Sequence, residues 1–250
     1  MVNHEKVKLG KLAVRHDPRT LMMATYTTAQ LTAPPASADY TKKVNKPWGM
    51  MKNDVIGDCT CAAAGHLIME WTANAGTLVR PSTPDIVKAY SAITGYNPKT
   101  GAHDTGAVEL DALNYWRKTG IAGHQIAAFV ALEPSNHTHV MDAVWMFGAC
   151  YIGLSLPLTA KGQRIWSVPT QGTHGPGAPG SWGGHAVPVV AYDARGLTVV
   201  TWGALHRMTW GFWAAYCDEA YAVLSHDFIT KGKAPSGFDL KTLLADLKAM

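Results

Sequence analysis

The pattern of apolar and polar positions changes character midway along the chain. After Asp58, the positions Ala62, Ala63, Leu67, Ile68 and Trp71 recur at helical spacing, which predicts a helix with Asp58 as its cap and Cys59 in its first turn. Ser82-Thr83-Pro84-Asp85 is a helix start, because Pro and Asp suit a first turn. A third helix is predicted over residues 106–118, with Val108, Leu110, Leu113 and Trp116 on its apolar side and Gly120 as its stop. A fourth is expected near residues 138–147. From Cys150 onward the runs shorten and become β-rich. Strands are predicted over 150–156, 185–192, 197–202 and 216–224, and Asp193-Ala194-Arg195-Gly196 supplies a hairpin turn. Residues 172–184 are mostly Gly, Pro, Ser and Thr and predict a loop. The tail, 239–250, has the pattern of a short amphipathic helix.

Helices first and strands second give an α+β chain, with a helical lobe over about 46–148 packed on an antiparallel β-rich lobe over about 149–250. Residues 1–45 are read as irregular. Thr32-Ala33-Pro34-Pro35 is extended, since each Pro disfavours helix in the residue before it. A length of 250 residues fits one domain of two lobes.

Charge and composition narrow the function classes. The net charge of +4 is small and spread out, with no basic run beyond Lys42-Lys43, so nucleic acid is not expected as a partner. No apolar stretch approaches a membrane span, and Met1-Val2-Asn3-His4-Glu5-Lys6 lacks the pattern of a signal peptide. The four cysteines, Cys59, Cys61, Cys150 and Cys217, do not form a disulfide framework. A reducing, cytoplasmic location is therefore expected, with association with a virion as the alternative. Cys61 with His66 lacks a second ligand cluster, and His137, His139 and His174 fall on predicted loops, so no metal and no cofactor are assigned. The aromatic run Trp210-Gly211-Phe212-Trp213 is a candidate contact patch for a protein partner or a second copy.

Two segments carry chemistry. Asn53-Asp54-Val55-Ile56-Gly57-Asp58-Cys59 is a turn that delivers a thiol to a helix start, where the positive end of the helix favours thiolate. The neighbouring Asp58 carboxylate opposes that effect. Gly183-Gly184-His185-Ala186-Val187 places a histidine at the opening of an apolar strand. A thiol and an imidazole brought together by folding make a nucleophile and its general base.

These segments resemble those of papain-like cysteine peptidases. Residues 53–63 are similar to the nucleophile segment of bacterial members, D-Q-G-x-x-G-S-C-T-A-N-A. Residues 183–193 are similar to the family's G-G-H-A-V-x-x-V-G-Y-D strand. Trp202-Gly203 and Trp210-Gly211 resemble its closing N-S-W-G…W-G segment, and Pro34 to Asp39 its mature start. The resemblance implies a papain-like two-lobe fold, Cys59 as nucleophile, His185 as general base and a peptide or protein substrate. It also implies that Trp202 lines a substrate cleft; Gly183, Gly184 and Trp182 are further candidates to line it, with packing between the lobes as the other role open to the two tryptophans.

Two positions depart from the family pattern. Asn53 stands where members have the Gln that helps hold the oxyanion. Val200 stands where they have the Asn that orients the histidine; the Thr201 hydroxyl replaces it only if the strand slips by one residue, and such a slip normally turns a side chain to the other face. The segment ahead of Pro34 is too short for the family's helical prodomain, so no inhibitory propeptide is expected. The leading reading is a hydrolase or acyl transferase acting on amides. The second is a catalytically weak or inactive papain-fold protein that binds a partner or serves as a subunit, for instance of a phage or prophage particle.

Overall fold

The computed structural model describes residues 7–28, 31–228 and 239–249. Met1 to Lys6, on which the signal-peptide reading fell, and Met250 lie outside the described residues.

Helix α1 (Met23–Tyr26) and the two-residue strand β1 (Ala38–Asp39) interrupt an otherwise irregular opening segment. The helical half follows with α2 (Cys59–Ala75), α3 (Thr83–Thr94) and α4 (Glu109–Lys118). Helix α2 is buried on every side from Cys59 to Ala73, which is why its sequence is Ala-rich and shows little amphipathic pattern. It ends at Gly76, whose φ of 116° is open to a glycine. Ser82 caps α3 by accepting from the Asp85 amide at 3.2 Å. Trp71 of α2 packs on Trp116 of α4, ring centres 5.5 Å apart.

The rest of the chain builds one sheet from β2 (Ile126–Ala131), β3 (Cys150–Leu156), β4 (Ile165–Trp166), β5 (Gly183–Asp193), β6 (Gly196–Thr201), β7 (Ala204–Thr209) and β8 (Cys217–Ser225). Their order is β2-β8-β3-β5-β6-β7-β4, with β1 added to β5. Pairing is antiparallel except between β4 and β7. Helices α5 (His137–Phe147), α6 (Trp210–Tyr216) and α7 (Leu240–Ala249) complete the fold.

The sheet separates two cores. One face carries Ala186, Val190, Val200 and Val223 against α2, α3 and α4. The other carries Val187, Val189, Val199 and Leu197 against α5 and α6. Strands covered on both sides read as continuous apolar runs, as β5 does, instead of alternating.

Several elements differ from the sequence reading. Strand β2 and helix α5 fall in the nominal helical half, yet β2 pairs with β8 and α5 packs on the sheet. Strand β7 was not anticipated, because its exposed Leu205 and half-buried His206 and Arg207 break the apolar pattern. Residues 210–216 form a helix, and Tyr216 closes it instead of opening the last strand. Phe212 and Trp213 are fully buried there, so half of the expected aromatic contact patch is core, while Gly211 is exposed and the half-buried Trp210 stacks on His137, centres 4.6 Å apart.

Candidate active site

The Asn53–Cys59 turn is held from outside. The Gly57 amide donates to the Asp104 carboxylate at 2.9 Å, the Tyr90 hydroxyl donates to the same oxygen at 2.8 Å, and the Gly106 amide donates to the Tyr90 oxygen at 2.9 Å. Cys59 is thereby delivered to the start of α2 and against β5, where its sulfur accepts from the Ala186 amide at 3.4 Å. Asp58 does not cap the helix with its side chain, contrary to expectation. Its carboxyl is fully buried, and burial, partly offset by the Asn53 side chain, pushes its pKa up to about 8.

His185 precedes Ala186 on β5 and is 1% exposed. Its Nε2 lies 2.8 Å from the Thr201 hydroxyl on β6. Its ring stacks on Trp202, centres 4.5 Å apart and planes at 15°. Trp202 (φ 45°) and Gly203 (φ 74°) form the two-residue turn between β6 and β7, the left-handed pair that matches the twist of a hairpin. Trp182 in turn packs on Trp202 at 5.6 Å.

The position of Thr201 follows from the pleat. His185 shares a face with Val187 and Val189, and Val189 pairs with Val199. Side chains alternate along a strand, so Thr201 emerges beside the imidazole while Val200 points into the opposite core toward α2. No slip of register is involved. Asn53 is buried, and its Nδ2 donates to the Ile56 carbonyl at 3.2 Å.

The chain's own opening segment lies across these elements. Residues 8–12 cross them, with one isolated parallel bridge between Lys11 and Ala107. The Lys8 amide donates to the Asn53 carbonyl at 3.1 Å, the Ala107 amide to the Gly10 carbonyl at 2.8 Å, the Lys11 amide to the Gly184 carbonyl at 3.1 Å and the Leu12 amide to the Ala107 carbonyl at 3.0 Å. The Trp202 indole donates to the Lys8 carbonyl at 3.2 Å.

Glycines make this approach tolerable. A Cβ on Gly10 would overlap the Gly57 carbonyl, one on Gly106 the Gly10 carbonyl, and one on Gly184 the Lys11 carbonyl. Gly183 likewise leaves room for the Leu9 side chain.

The segment lies over the thiol without offering it a reaction. Gly10 turns its amide N–H toward the Cys59 sulfur while its carbonyl is engaged by Ala107. Burial beneath this cover, with Asp58 and Glu109 adding to it, pushes the Cys59 thiol up to about 12, although the Ala186 and Gly10 amides oppose the shift. Burial here favours the neutral thiol, against the pull of the helix start.

One group of residues was not foreseen from sequence. Lys11 projects from the segment into a pocket between the lobes, where Asp218 and Glu219 of β8 and Glu109 of α4 converge. The available sequence signals were weak: an acidic pair in an apolar strand run, and a glycine, Gly153, in the middle of another strand.

These features together define the papain-like cysteine protease fold. Among solved structures the chain is similar to xylellain, a cysteine protease from Xylella fastidiosa, at 16% identity and a TM-score of 0.66 over 88% of this chain and 96% of that one. It is also similar to procathepsin B from Trypanosoma congolense, at 12% identity and 0.60 over 89% of this chain and 88% of that one. The Carica candamarcensis cysteine protease CMS1MS2, solved in complex with E-64, matches at 14% identity and 0.54 over 76% of this chain and 98% of that one. No protein-family model and no curated protein matches the chain.

Proposed function

We propose that this chain is a cysteine peptidase or amidase that is latent while residues 8–12 occupy its groove. The observation that carries the reading is the placement of the Cys59 sulfur against the strand residue next to His185, with His185 tied to Thr201. Leaving the groove, the segment uncovers the sulfur to water. The burial cost that keeps the thiol neutral then falls, and the helix start and an adjacent imidazolium favour thiolate. Thr201 accepts from Nε2–H, which leaves Nδ1 of His185 to take the thiol proton.

The thiolate attacks a substrate carbonyl carbon, and the Cys59 backbone amide and Asn53 are the candidate donors to the oxyanion. The protonated imidazole gives its proton to the leaving amine as the carbon–nitrogen bond breaks. Water, deprotonated by His185, then releases the acid and restores the thiol. Use of the Asn53 amide on Ile56 favours a second reading, in which the fold binds peptide without efficient turnover. Mass spectrometry after iodoacetamide treatment separates the two. With the segment displaced by Gly10→Leu, Cys59 should label faster than Cys61, Cys150 and Cys217, and a peptide-amide substrate should be cleaved. Labelling no faster than at those three would refute the hydrolase.

A further inference from the structure

The Lys11 side chain is 1% exposed, and its ammonium is bound more heavily than anchoring a strand requires. Nζ lies 2.9 and 3.0 Å from the two Asp218 oxygens, 3.0 Å from Glu219 Oε1 and 3.3 Å from the Leu12 carbonyl. The acids are themselves positioned: Ser155 donates to Asp218 at 2.7 Å and the Tyr221 hydroxyl to Glu219 at 2.9 Å. Glu109 is fully buried in the first turn of α4, and neither carboxyl oxygen has a hydrogen-bond partner among the described residues. Two carboxylates hold the ammonium, and the Glu109 carboxyl, which burial pushes toward its neutral form, lies near enough to act on it without an ion-pair contact, so the pocket has acceptor capacity that Lys11 leaves unused.

The walls are shaped for a long stem. A Cβ on Gly153 would overlap the Lys11 Cε, although no unusual backbone angle calls for glycine in the middle of β3. Gly184, across the pairing with Ser155, lets the backbone of the occupant lie flat on the strand. Burial alone would lower the lysine's pKa, yet Glu109, Glu219 and Asp218 together raise it, so the site holds the charged form.

We propose that the pocket formed by Glu109, Gly153, Ser155, Gly184, Asp218 and Glu219 is a subsite for a lysine or arginine side chain of a peptide substrate, with Lys11 as its resident stand-in. Gly10 sits at the sulfur and Lys11 is one residue further out. A peptide bound in the register of the segment places there the side chain one residue beyond the backbone that lies over the sulfur. The unused acceptors of Glu109 suit the additional donors of a guanidinium. This specificity rests on the groove being a peptide site, as in the hydrolase reading above.

The test uses the full chain carrying Gly10→Leu and Lys11→Ala, which expels the segment and leaves the pocket residues intact. Peptides identical except for Lys, Arg, norleucine or Glu at the position next to the residue attacked are titrated calorimetrically into the Cys59→Ala form. The same peptides are assayed for cleavage with Cys59 present. Lys and Arg peptides should bind at least about tenfold tighter than the norleucine peptide, the minimum expected of a desolvated charge pair. Asp218→Asn, at a partly exposed carboxylate, should shrink that ratio, and Asp218→Asn with Glu219→Gln should abolish it. Norleucine binding as tightly as Lys, or no peptide binding at all, overturns the subsite. A basic preference in binding without cleavage upholds the subsite and refutes the hydrolase. Cleavage without a basic preference does the reverse.

Discussion

His185 and Thr201 meet across adjacent strands, Nε2 to Oγ1, at 2.8 Å. The contact pins one ring nitrogen, and in the proposed mechanism the other takes the thiol proton. On that proposal Thr201 acts by positioning the imidazole, so its loss should act on turnover and not on binding. In the segment-displaced protein, Thr201→Val should lower kcat by about ten- to a hundredfold, the equivalent of a ~1–3 kcal/mol hydrogen bond, with KM nearly unchanged. Thr201→Asn should restore part of the loss. An unaltered kcat and pH profile in Thr201→Val would dismiss the role.

Val200 invites the opposite experiment. It is 1% exposed in the core beneath α2, on the face away from His185. Val200→Asn should therefore give no gain in rate. It should destabilise the protein by about 1–3 kcal/mol by burying an amide with nothing to bond, measured as a lower urea midpoint.

The reactivity of Cys59 should depend on the segment and on pH together. In the intact chain the thiol is held at about 12. Its alkylation should climb about tenfold per pH unit across the neutral and alkaline range, tracking the thiolate fraction. Displacement by Gly10→Leu moves the group toward an ordinary ~8.5 or below, which multiplies thiolate near neutrality by roughly a thousandfold and brings the plateau to lower pH. Equal rates in the two proteins at every pH would show that the segment does not protect the sulfur.

Asp58 should leave a signature in stability. Its folded pKa of about 8 lies above the ordinary carboxyl value of 3.8. Between those values the folded state holds a proton that the unfolded state has released, so stability falls as pH rises, by up to ~1.4 kcal/mol per unit from this one group. Asp58→Asn keeps the shape without the titration. Its advantage over the parent should widen from pH 5 to pH 8 in urea melts, and a constant difference would contradict the assignment.

What could be read from the chain, and what could not, divides by range. Cys59 and His185 sit in short segments whose glycines and flanking apolar residues encode their own turn and strand, so both were locatable without a fold. The role of Thr201 depends on face parity between two strands. Counting back from Trp202 selected Val200, whereas the pleat selects its neighbour. The occupied groove was out of reach, because it joins Lys8 to Leu12 with residues near 53, 107, 184 and 218. Nothing local to Leu9-Gly10-Lys11-Leu12 announces a segment that bonds to such distant partners. The burial of Phe212 and Trp213 was missed for a related reason, since an aromatic run looks the same whether it faces solvent or a second layer of helix.

Because the occupant of the groove is covalently attached to it, its hold does not depend on how much protein is present. A tethered ligand faces its site at an effective concentration that for short flexible links is in the millimolar range. On the proposed reading, a few backbone hydrogen bonds and one ion-paired lysine therefore keep out dilute peptides that would win easily against the same residues supplied free. Diluting the protein would not open it. What would open it is an event at the tether itself, such as a cut, a pull or a competing grip on the opening residues.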